Sequence, residues 1–214
     1  MSSKQKVVLI GASSNLKFEL EEYCDVIGFG RNEIEGWDLI NNISFCLHQI
    51  PIDEIYYCIN LGMLIPKFIN EINDADEFAA LRINMTAPVR LCEFILANNP
   101  NSRILIIGSE SGEKGSFDTL YFLAKAALSA YVRERKVGVN QQILMLSPST
   151  IGDSNMTSSR KDLDRLKKYK KQHPKKRFLN MSEVALTIDK VFLESTLYLC
   201  NEEIRLNGGK FARQ

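Results

Sequence analysis

Short apolar runs alternate with longer stretches of mixed character along the chain. Six runs predict strands, because they are rich in β-branched, aromatic or leucine residues and end at turn-forming residues. They are Val7–Ile10, Val26–Phe29, Glu54–Ile59, Ile104–Ile107, Ile143–Leu146 and Ile204–Leu206. The stretches between them predict helices near residues 16–24, 38–49, 64–71, 76–98, 118–136 and 182–195. Near-continuous apolar strands are typical of a parallel sheet covered on both faces, so we expect a doubly wound α/β fold with ligands at the carboxyl ends of the strands.

The composition is that of a soluble globular protein. The 214 residues are 45% hydrophobic and 25% charged, with a net charge of +1, and they predict a single domain over residues 1–214. The five cysteines form no Cys-x-x-Cys pair, which predicts reduced thiols in a cytoplasmic protein. The two histidines are far apart, which argues against a zinc site. With no apolar run of about 18 residues and no secretion signal, we expect neither a membrane span nor export.

One segment departs from this near-neutral balance. From Arg160 to Arg177, ten of eighteen residues are basic and two are acidic, so the rest of the chain is net acidic. Such a segment can recruit an anionic substrate, contact nucleic acid, or simply form a solvated helix. Tyr169 is its one aromatic side chain, which makes nucleic acid a poor candidate partner.

The first predicted strand leads into a glycine turn and then a helix. A tight glycine turn before a helix presents backbone N–H groups to a pyrophosphate. Only the first of three glycines in the dinucleotide-binding pattern is present, because Asn15 and Lys17 occupy the other two positions. Asparagine tolerates a positive φ, and the Lys17 ammonium could reach a phosphate after a local rearrangement. We expect cofactor contacts here, a plain strand–turn–helix being the alternative; the candidates are Gly11, Ser13, Ser14, Asn15 and Leu16.

A basic residue follows the second predicted strand. Arg31 lies about twenty residues after Gly11, where a chain that binds NAD carries an acid for the ribose hydroxyls. A guanidinium suits the 2′-phosphate of NADP instead. Arg31 therefore favours NADP(H) over NAD(H), with a surface arginine in a turn as the alternative.

Several further motifs follow one another in a fixed order along the chain. Tyr121 and Lys125 form a Tyr-x-x-x-Lys pattern, and Asn84 lies in a predicted helix before them. The other segments are Gly11–Lys17, Asp38–Leu39, Ile59–Gly62, Ile107–Gly112, Pro148–Ile151 with Thr157, and Asn207–Gly209. In this order they resemble the short-chain dehydrogenase/reductase family over nearly the whole chain, and Asn84 is similar to its active-site helix asparagine. The resemblance implies a Rossmann fold with further cofactor contacts from Asp38, Leu39, Asn60, Leu61, Gly62, Tyr121, Lys125, Pro148 and Ile151.

The resemblance also identifies a serine. Ser109 precedes Tyr121 by twelve residues, one fewer than the thirteen usual in the family. Gly112 and Gly115 keep their usual offsets from Ser109, so we assign the deletion to the residues after Gly115. Ser109 is then the expected catalytic serine, with Ser111 as the alternative.

These side chains suit hydride-transfer chemistry. Tyr121 and Lys125 lie four positions apart on a predicted helix, so the ammonium is expected to lower the pKa of the phenol towards the working pH. Ser109 can donate a hydrogen bond to a substrate oxygen that gains charge, while the cofactor carries the hydride. The resemblance implies that Lys125 also binds the nicotinamide ribose and that Asn84 holds a water that supplies its protons. The alternatives are a half-exposed Tyr–Lys contact, a turn serine and a solvent-facing asparagine.

The sequence therefore predicts an NADP(H)-dependent oxidoreductase that reduces a carbonyl or oxidises an alcohol of a small molecule. The basic segment falls in the expected substrate loop or lid, residues 150–180, and favours an anionic substrate. A non-catalytic dinucleotide-binding sensor or scaffold is the alternative, and a sugar-nucleotide epimerase or dehydratase is disfavoured by the short C-terminal region. By resemblance, the helices near 76–98 and 118–136 build a homodimer or homotetramer.

Overall fold

The computed structural model describes residues 4–160 and 162–212, so Lys161 of the basic segment lies outside the described residues. Its strands are β1 Lys6–Ile10, β2 Asp25–Phe29, β3 Tyr56–Ile59, β4 Arg103–Ile107, β5 Gln142–Pro148 and β6 Glu202–Leu206. They form one sheet in the order β2-β1-β3-β4-β5-β6, and every neighbouring pair is parallel. All six predicted strands and the parallel sheet are thus confirmed.

Nine α-helices flank these strands in the part of the chain that the structure describes. They are α1 Leu16–Leu20, α2 Ile43–Gln49, α3 Asp74–Leu81, α4 Ala87–Asn98, α5 Ser111–Lys114, α6 Thr119–Glu134, α7 Asn155–Ser158, α8 Leu163–Gln172 and α9 Met181–Ile188. A π-helical segment, Arg82–Thr86, joins α3 to α4, and a second, Asp189–Leu193, extends α9. The long helices expected near 76–98, 118–136 and 182–195 are therefore confirmed.

The sheet is covered on both faces, as the apolar strands predicted. Along β1, Val8 and Ile10 belong to one buried cluster, which includes side chains of α4 and α6. The alternate residues Val7 and Leu9 belong to a second cluster, formed with α1 and α9. Because successive side chains of a strand point to opposite faces, this alternation identifies two helical layers around one sheet.

The strand order reverses at β1, which lies between β2 and β3. The chain leaves β1 to one side for β2 and comes back past it to form β3, so the two crossovers part at the carboxyl end of β1. In open α/β sheets, ligands bind in the crevice at such a reversal point. Here the crevice is bordered by Gly11, directly after β1, and Asn60, directly after β3.

The prediction of a helix at 64–71 is wrong. That stretch is a loop with one 3₁₀ turn, Ile69–Glu71. Pro66 disfavours a helical backbone at Ile65, and the Met63 and Ile65 N–H groups donate to side chains of distant elements.

Two other helices are shorter than expected. The one predicted at 38–49 begins only at Ile43, because the Asp38 carboxylate accepts hydrogen bonds from the backbone of two following residues and forms a turn. The helix predicted at 16–24 ends at Leu20.

Candidate active site

Tyr121 and Lys125 lie together on one face of α6, as predicted. The Lys125 Nζ is 5.6 Å from the centre of the Tyr121 ring, and both residues are buried, at 1% exposure for Lys125 and 8% for Tyr121. The ammonium donates to the backbone carbonyl of Leu61 at 2.7 Å and to that of Ile107 at 3.2 Å. Lys125 therefore ties α6 to the carboxyl ends of β3 and β4, and the half-exposed reading of this pair is wrong.

The protonation of the pair differs from the expectation. Burial lowers the pKa of Lys125 to about 8. Burial also raises the pKa of Tyr121, an effect opposed by interaction with Ser109 and reinforced by the Asp118 carboxylate. The predicted lowering of the phenol pKa by the ammonium is therefore wrong for this arrangement, in which desolvation dominates and the ammonium is engaged by two carbonyl oxygens.

Ser109 follows β4 and lies beside the phenol of Tyr121, where its interaction acts to lower the pKa of the tyrosine. Its Oγ also accepts a hydrogen bond from the Ser111 backbone N–H at 3.2 Å. Ser111 instead begins α5. The contact with Tyr121 thus favours Ser109 over Ser111 as the serine of the site.

Asn84 is fully buried in the π-helical segment, so its solvent-facing reading is wrong. Its side chain accepts a hydrogen bond from the Met63 N–H at 2.9 Å and donates one to the Met63 carbonyl at 2.8 Å. Both ends of the amide are therefore used to hold the loop after β3. Each end of the amide keeps capacity for one further hydrogen bond, and π-helical turns of this kind occur frequently at functional sites.

The loop after β3 is fastened at alternate residues by side chains of the site. Lys125 holds Leu61, Asn84 holds Met63, and the Asp118 carboxylate accepts from the Ile65 N–H. Asp118 was not among the residues predicted from the sequence. The available signal was an aspartate three positions before Tyr121, which is the spacing of a helix N-cap.

The glycine turn requires a glycine at its first position. Gly11 has a φ of +92°, and a Cβ there would lie 2.0 Å from the carbonyl oxygen of Asn60. Asn60 also donates from Nδ2 to the Ser14 Oγ at 2.8 Å, which joins the turn to the loop after β3. The backbone N–H groups of Ser13 and Asn15 have no acceptor among the described residues.

The two residues that replace glycines are accommodated in different ways. Asn15 has an ordinary helical φ of −58°, so its tolerance of positive φ is not used. Its Nδ2 instead donates to the Asp153 carbonyl at 2.8 Å, which connects the turn to the loop after β5. The Lys17 Nζ lies 3.7 Å from Glu33 Oε1. It also reaches Gly28, where a Cβ would be in ordinary van der Waals contact with the ammonium at 3.4 Å.

Glu33 is a second residue that the sequence analysis missed. Its Oε2 is buried and has no hydrogen-bond partner among the described residues. A Cβ on Gly30 would lie 2.8 Å from this oxygen and 2.9 Å from the Ser13 Oγ, so the carboxylate stands beside the glycine turn. Glu33 follows Gly11 by about twenty residues, which is the spacing of a ribose-binding acid. The sequence analysis considered only Arg31 at this spacing.

Arg31 is exposed and forms no ion pair among the described residues. The Asp38 carboxylate accepts hydrogen bonds from Asn41 and Ile40, and these bonds, with a smaller contribution from the Arg31 charge, lower the pKa of Asp38. The neighbouring Leu39 is buried in the core cluster that faces α4 and α6.

The predicted lid is a segment whose two ends lie side by side, just after β5. Pro148 ends β5, and Ile151 then pairs with Leu179, with a bond from Gly152 N–H to the Leu179 carbonyl at 2.8 Å. Between these points lie α7 and α8. Thr157 is engaged within α7, where the Ser154 hydroxyl donates to it at 3.1 Å.

Helix α7 lies against the loop after β3, close to Tyr121. A Cβ on Gly62 would lie 3.2 Å from the Met156 Cε and 4.0 Å from the Tyr121 ring, so the methionine, the loop after β3 and the phenol meet here.

Helix α8 carries much of the basic segment towards solvent. Leu166 and His173 are its buried anchors, whereas the described basic residues other than Arg160 are exposed. Arg165 lies 5.7 Å from the centre of the Phe117 ring, next to the amino end of α6. The basic helix therefore borders the loop that leads into Tyr121.

A cavity of about 930 Å³ lies away from these residues, on the outer face of α3, the first π segment and α4. Its apolar lining includes Phe78, Met85 and Val89. In the described part of the chain, no helix is long and apolar enough to cross a membrane, and no three His, Cys, Asp or Glu side chains are grouped to hold a metal ion.

No protein-family model and no curated protein sequence matches the chain. Solved structures do match over almost its full length. A short-chain dehydrogenase/reductase from Brucella melitensis, described as a glucose/ribitol dehydrogenase, is 19% identical, with 99% of this chain and 98% of that one aligned at a TM-score of 0.82.

Two further structures agree with this. The aldohexose dehydrogenase of Thermoplasma acidophilum is 15% identical, with 99% of this chain and 96% of that one aligned at a TM-score of 0.81. A variant of the actinorhodin polyketide ketoreductase with NADPH is 14% identical, with 98% of each chain aligned at a TM-score of 0.80. This chain therefore has the single-domain α/β fold of the short-chain dehydrogenases/reductases.

Proposed function

We propose that this protein is an oxidoreductase of the short-chain dehydrogenase/reductase family that reduces a carbonyl or oxidises an alcohol with a nicotinamide dinucleotide. The observation that carries the proposal is the meeting of Tyr121, Lys125 and Ser109 at the carboxyl ends of β3 and β4. These ends border the crevice of the glycine turn. The aligned structures, among them a ketoreductase with NADPH, support the same chemistry.

The residues around the glycine turn fit a dinucleotide. The main-chain path at Gly11 leaves no room for a side chain, and the N–H groups of Ser13 and Asn15 are free of acceptors among the described residues. Unpaired N–H groups at such a turn are suited to phosphate oxygens. The unpartnered Glu33 Oε2 beside them suits a hydroxyl donor.

The catalytic roles follow from the site's own side chains. When bound, the nicotinamide would supply or accept the hydride. Tyr121 would give a proton to the substrate oxygen in reduction and take it back in oxidation. Ser109 would donate a hydrogen bond to that oxygen as it gains charge. Lys125, with its pKa lowered to about 8, would hold the loop after β3 in place beside the phenol through its bond to the Leu61 carbonyl.

The preference between NADP(H) and NAD(H) depends on two residues, Arg31 and Glu33. We propose NADP(H), because Arg31 is exposed and has no ion-pair partner in the described residues, so its guanidinium can receive a 2′-phosphate. Glu33 favours NAD(H), because its unpartnered Oε2 would accept from a ribose hydroxyl and its charge would repel a phosphate. Lys17 partly offsets this repulsion.

We further propose that the substrate is a small anionic molecule. The exposed basic residues of α8 lie next to the loop that leads into Tyr121, and Arg165 contacts that loop directly. A positive surface at the entrance raises the local concentration of an anion. The five free thiols suit a cytoplasmic location, and the apolar face of α3 and α4 suits a homodimer or homotetramer.

The alternative is a non-catalytic dinucleotide-binding sensor or scaffold. It is favoured by the Asn15–Asp153 bond and by Met156, which together cover the crevice. A turnover assay separates the two. Wild-type protein, assayed for NADPH consumption against a panel of phosphorylated and carboxylated carbonyl compounds, should show activity that Tyr121→Phe removes. Unchanged turnover in the variant would show that Tyr121 is not the acid, and no turnover in wild type would favour the sensor.

A further inference from the structure

Asp118 is a buried carboxylate with a specific pair of donors. It is 4% exposed and caps the amino end of α6, where Oδ1 accepts from the Tyr121 N–H at 3.0 Å. Its Oδ2 accepts from the Ile65 N–H at 2.5 Å. One carboxylate thus bonds the backbone of the tyrosine and the backbone of the loop after β3.

The surroundings of Asp118 indicate that its two hydrogen bonds are needed to compensate its buried charge. Asp118 has no ion pair among the described residues, so the two N–H donors are what compensates its buried charge. Ile65 is itself buried and packs in a small cluster with Ala80 and Leu120. The cluster and the carboxylate together hold the loop against both α3 and α6.

The loop after β3 connects the two halves of the site. Its first residue, Asn60, bonds Ser14 of the glycine turn, and Leu61 accepts from Lys125. Asp118 fixes the far end of this loop at Ile65. A displacement there would therefore move the carbonyl that holds Lys125 and the backbone that carries Tyr121.

We propose that Asp118 is a positioning residue that sets the register between the loop Asn60–Ile65 and the amino end of α6, and so fixes Tyr121 relative to Lys125 and the glycine turn. Its consequence for catalysis rests on the proposed function, but the register itself does not. The groups that face the phenol are Lys125 on α6, Ser109 after β4 and the Asp118 carboxylate. Arg165 approaches from α8 through Phe117.

The test compares three variants. Asp118→Asn keeps one oxygen for the Tyr121 N–H and is an equally good helix cap, but it lacks the acceptor for Ile65 and the charge. Asp118→Ala removes both acceptors. Asn73→Ala is the matched control, because Asn73 caps α3 through the Asp76 N–H at 2.8 Å and does not touch the loop.

Two readouts need no activity. Amide hydrogen exchange at Ile65 should be about tenfold faster or more in Asp118→Asn, with the α6 amides still protected. An NMR titration of ring-labelled tyrosine, assigned with Tyr121→Phe, should give a lower Tyr121 pKa, because the carboxylate raises it in the wild type. Asn73→Ala should change neither quantity.

Turnover, where present, adds a third readout. Asp118→Asn should lower kcat by about tenfold or more and move the limb of the pH profile set by Tyr121 to lower pH, because small misplacements of reacting groups are costly. Asn73→Ala should leave both within about twofold. The proposal would be overturned if Asp118→Asn exchanged the Ile65 amide at the wild-type rate and left the Tyr121 pKa unchanged. An inactive wild type with both effects present would overturn the proposed function alone.

Discussion

The ammonium of Lys125 donates to the backbone carbonyl of Leu61 across 2.7 Å. A lysine at the centre of α6 is thereby the direct link between the helix and the loop that borders the glycine turn. This link comes at an energetic cost, because burial lowers the pKa of Lys125 to about 8.

The buried lysine predicts a pH dependence of stability. Its folded-state pKa lies below the unfolded value, so the unfolded chain binds more protons and stability rises with pH from about 8 to the ordinary lysine range. The penalty below that window is about 3 kcal/mol. Lys125→Met should lose this rise in denaturant unfolding. If the free energy of unfolding changed with pH in the same way for wild type and variant, the account would be contradicted.

The glycine turn predicts an unequal pair of substitutions. Gly11→Ala places a Cβ 2.0 Å from the Asn60 carbonyl oxygen at a φ of +92°. Gly209→Ala shares a positive φ of +82° but has no atom within 4 Å of its Cβ. Gly11→Ala should therefore lower the free energy of unfolding by about 3 kcal/mol or more, and Gly209→Ala by about 1–2 kcal/mol. Equal losses for the two variants would show that the close approach to Asn60 is not important.

Arg31 and Glu33 predict opposite changes in cofactor preference. Arg31→Asp should shift the ratio of dissociation constants from NADPH towards NADH by about tenfold or more. Glu33→Gln removes the charge that opposes a phosphate, so it should tighten NADPH binding and leave NADH binding equal or weaker. Titrations of both cofactors measure the ratios. If the ratio of the NADPH and NADH dissociation constants were unaltered in Arg31→Asp, and NADH bound more weakly to Glu33→Gln, the cofactor preference would depend on Glu33 instead.

The bond between the turn and the lid predicts a kinetic effect. Asn15→Gly restores the glycine of the family pattern and removes the donor to the Asp153 carbonyl. One neutral hydrogen bond is worth about 1 kcal/mol, so cofactor association should be about fivefold faster in stopped-flow fluorescence. Asn140→Gly, which removes an exposed amide donor just before β5, at the amino ends of the strands, is the control. An unchanged association rate in Asn15→Gly would mean that this bond does not limit entry.

The features that the sequence predicted correctly rest on local patterns. The strands were predicted because each is an apolar run that ends at a turn. The proximity of Tyr121 and Lys125 was predicted because a spacing of four residues places both on one helix face. The failures involve partners that are distant in the sequence. Residues 64–71 form a loop that is fastened at Ile65 to Asp118, a contact that no local pattern shows. The Lys17 ammonium lies 3.7 Å from Glu33 Oε1, a partner sixteen residues away.

Burial explains the error in the chemistry. The spacing of Tyr121 and Lys125 identifies a shared helix face, but it does not reveal how far both are removed from water. Since desolvation outweighs the ammonium, the pKa of the phenol is raised rather than lowered. Glu33 was missed for a related reason, because its buried, unpartnered oxygen is a property of the folded turn.

The central claim is that this crevice binds a nicotinamide dinucleotide beside Tyr121, and a fluorescence titration tests it most directly. NADPH and NADH are added to wild-type protein, to Tyr121→Phe and to Gly11→Ala, once the last variant has been checked for folding. The account predicts saturable binding by wild type, nearly equal binding by Tyr121→Phe and weakened binding by folded Gly11→Ala. No saturable binding of either cofactor by the wild type at millimolar concentration would contradict it.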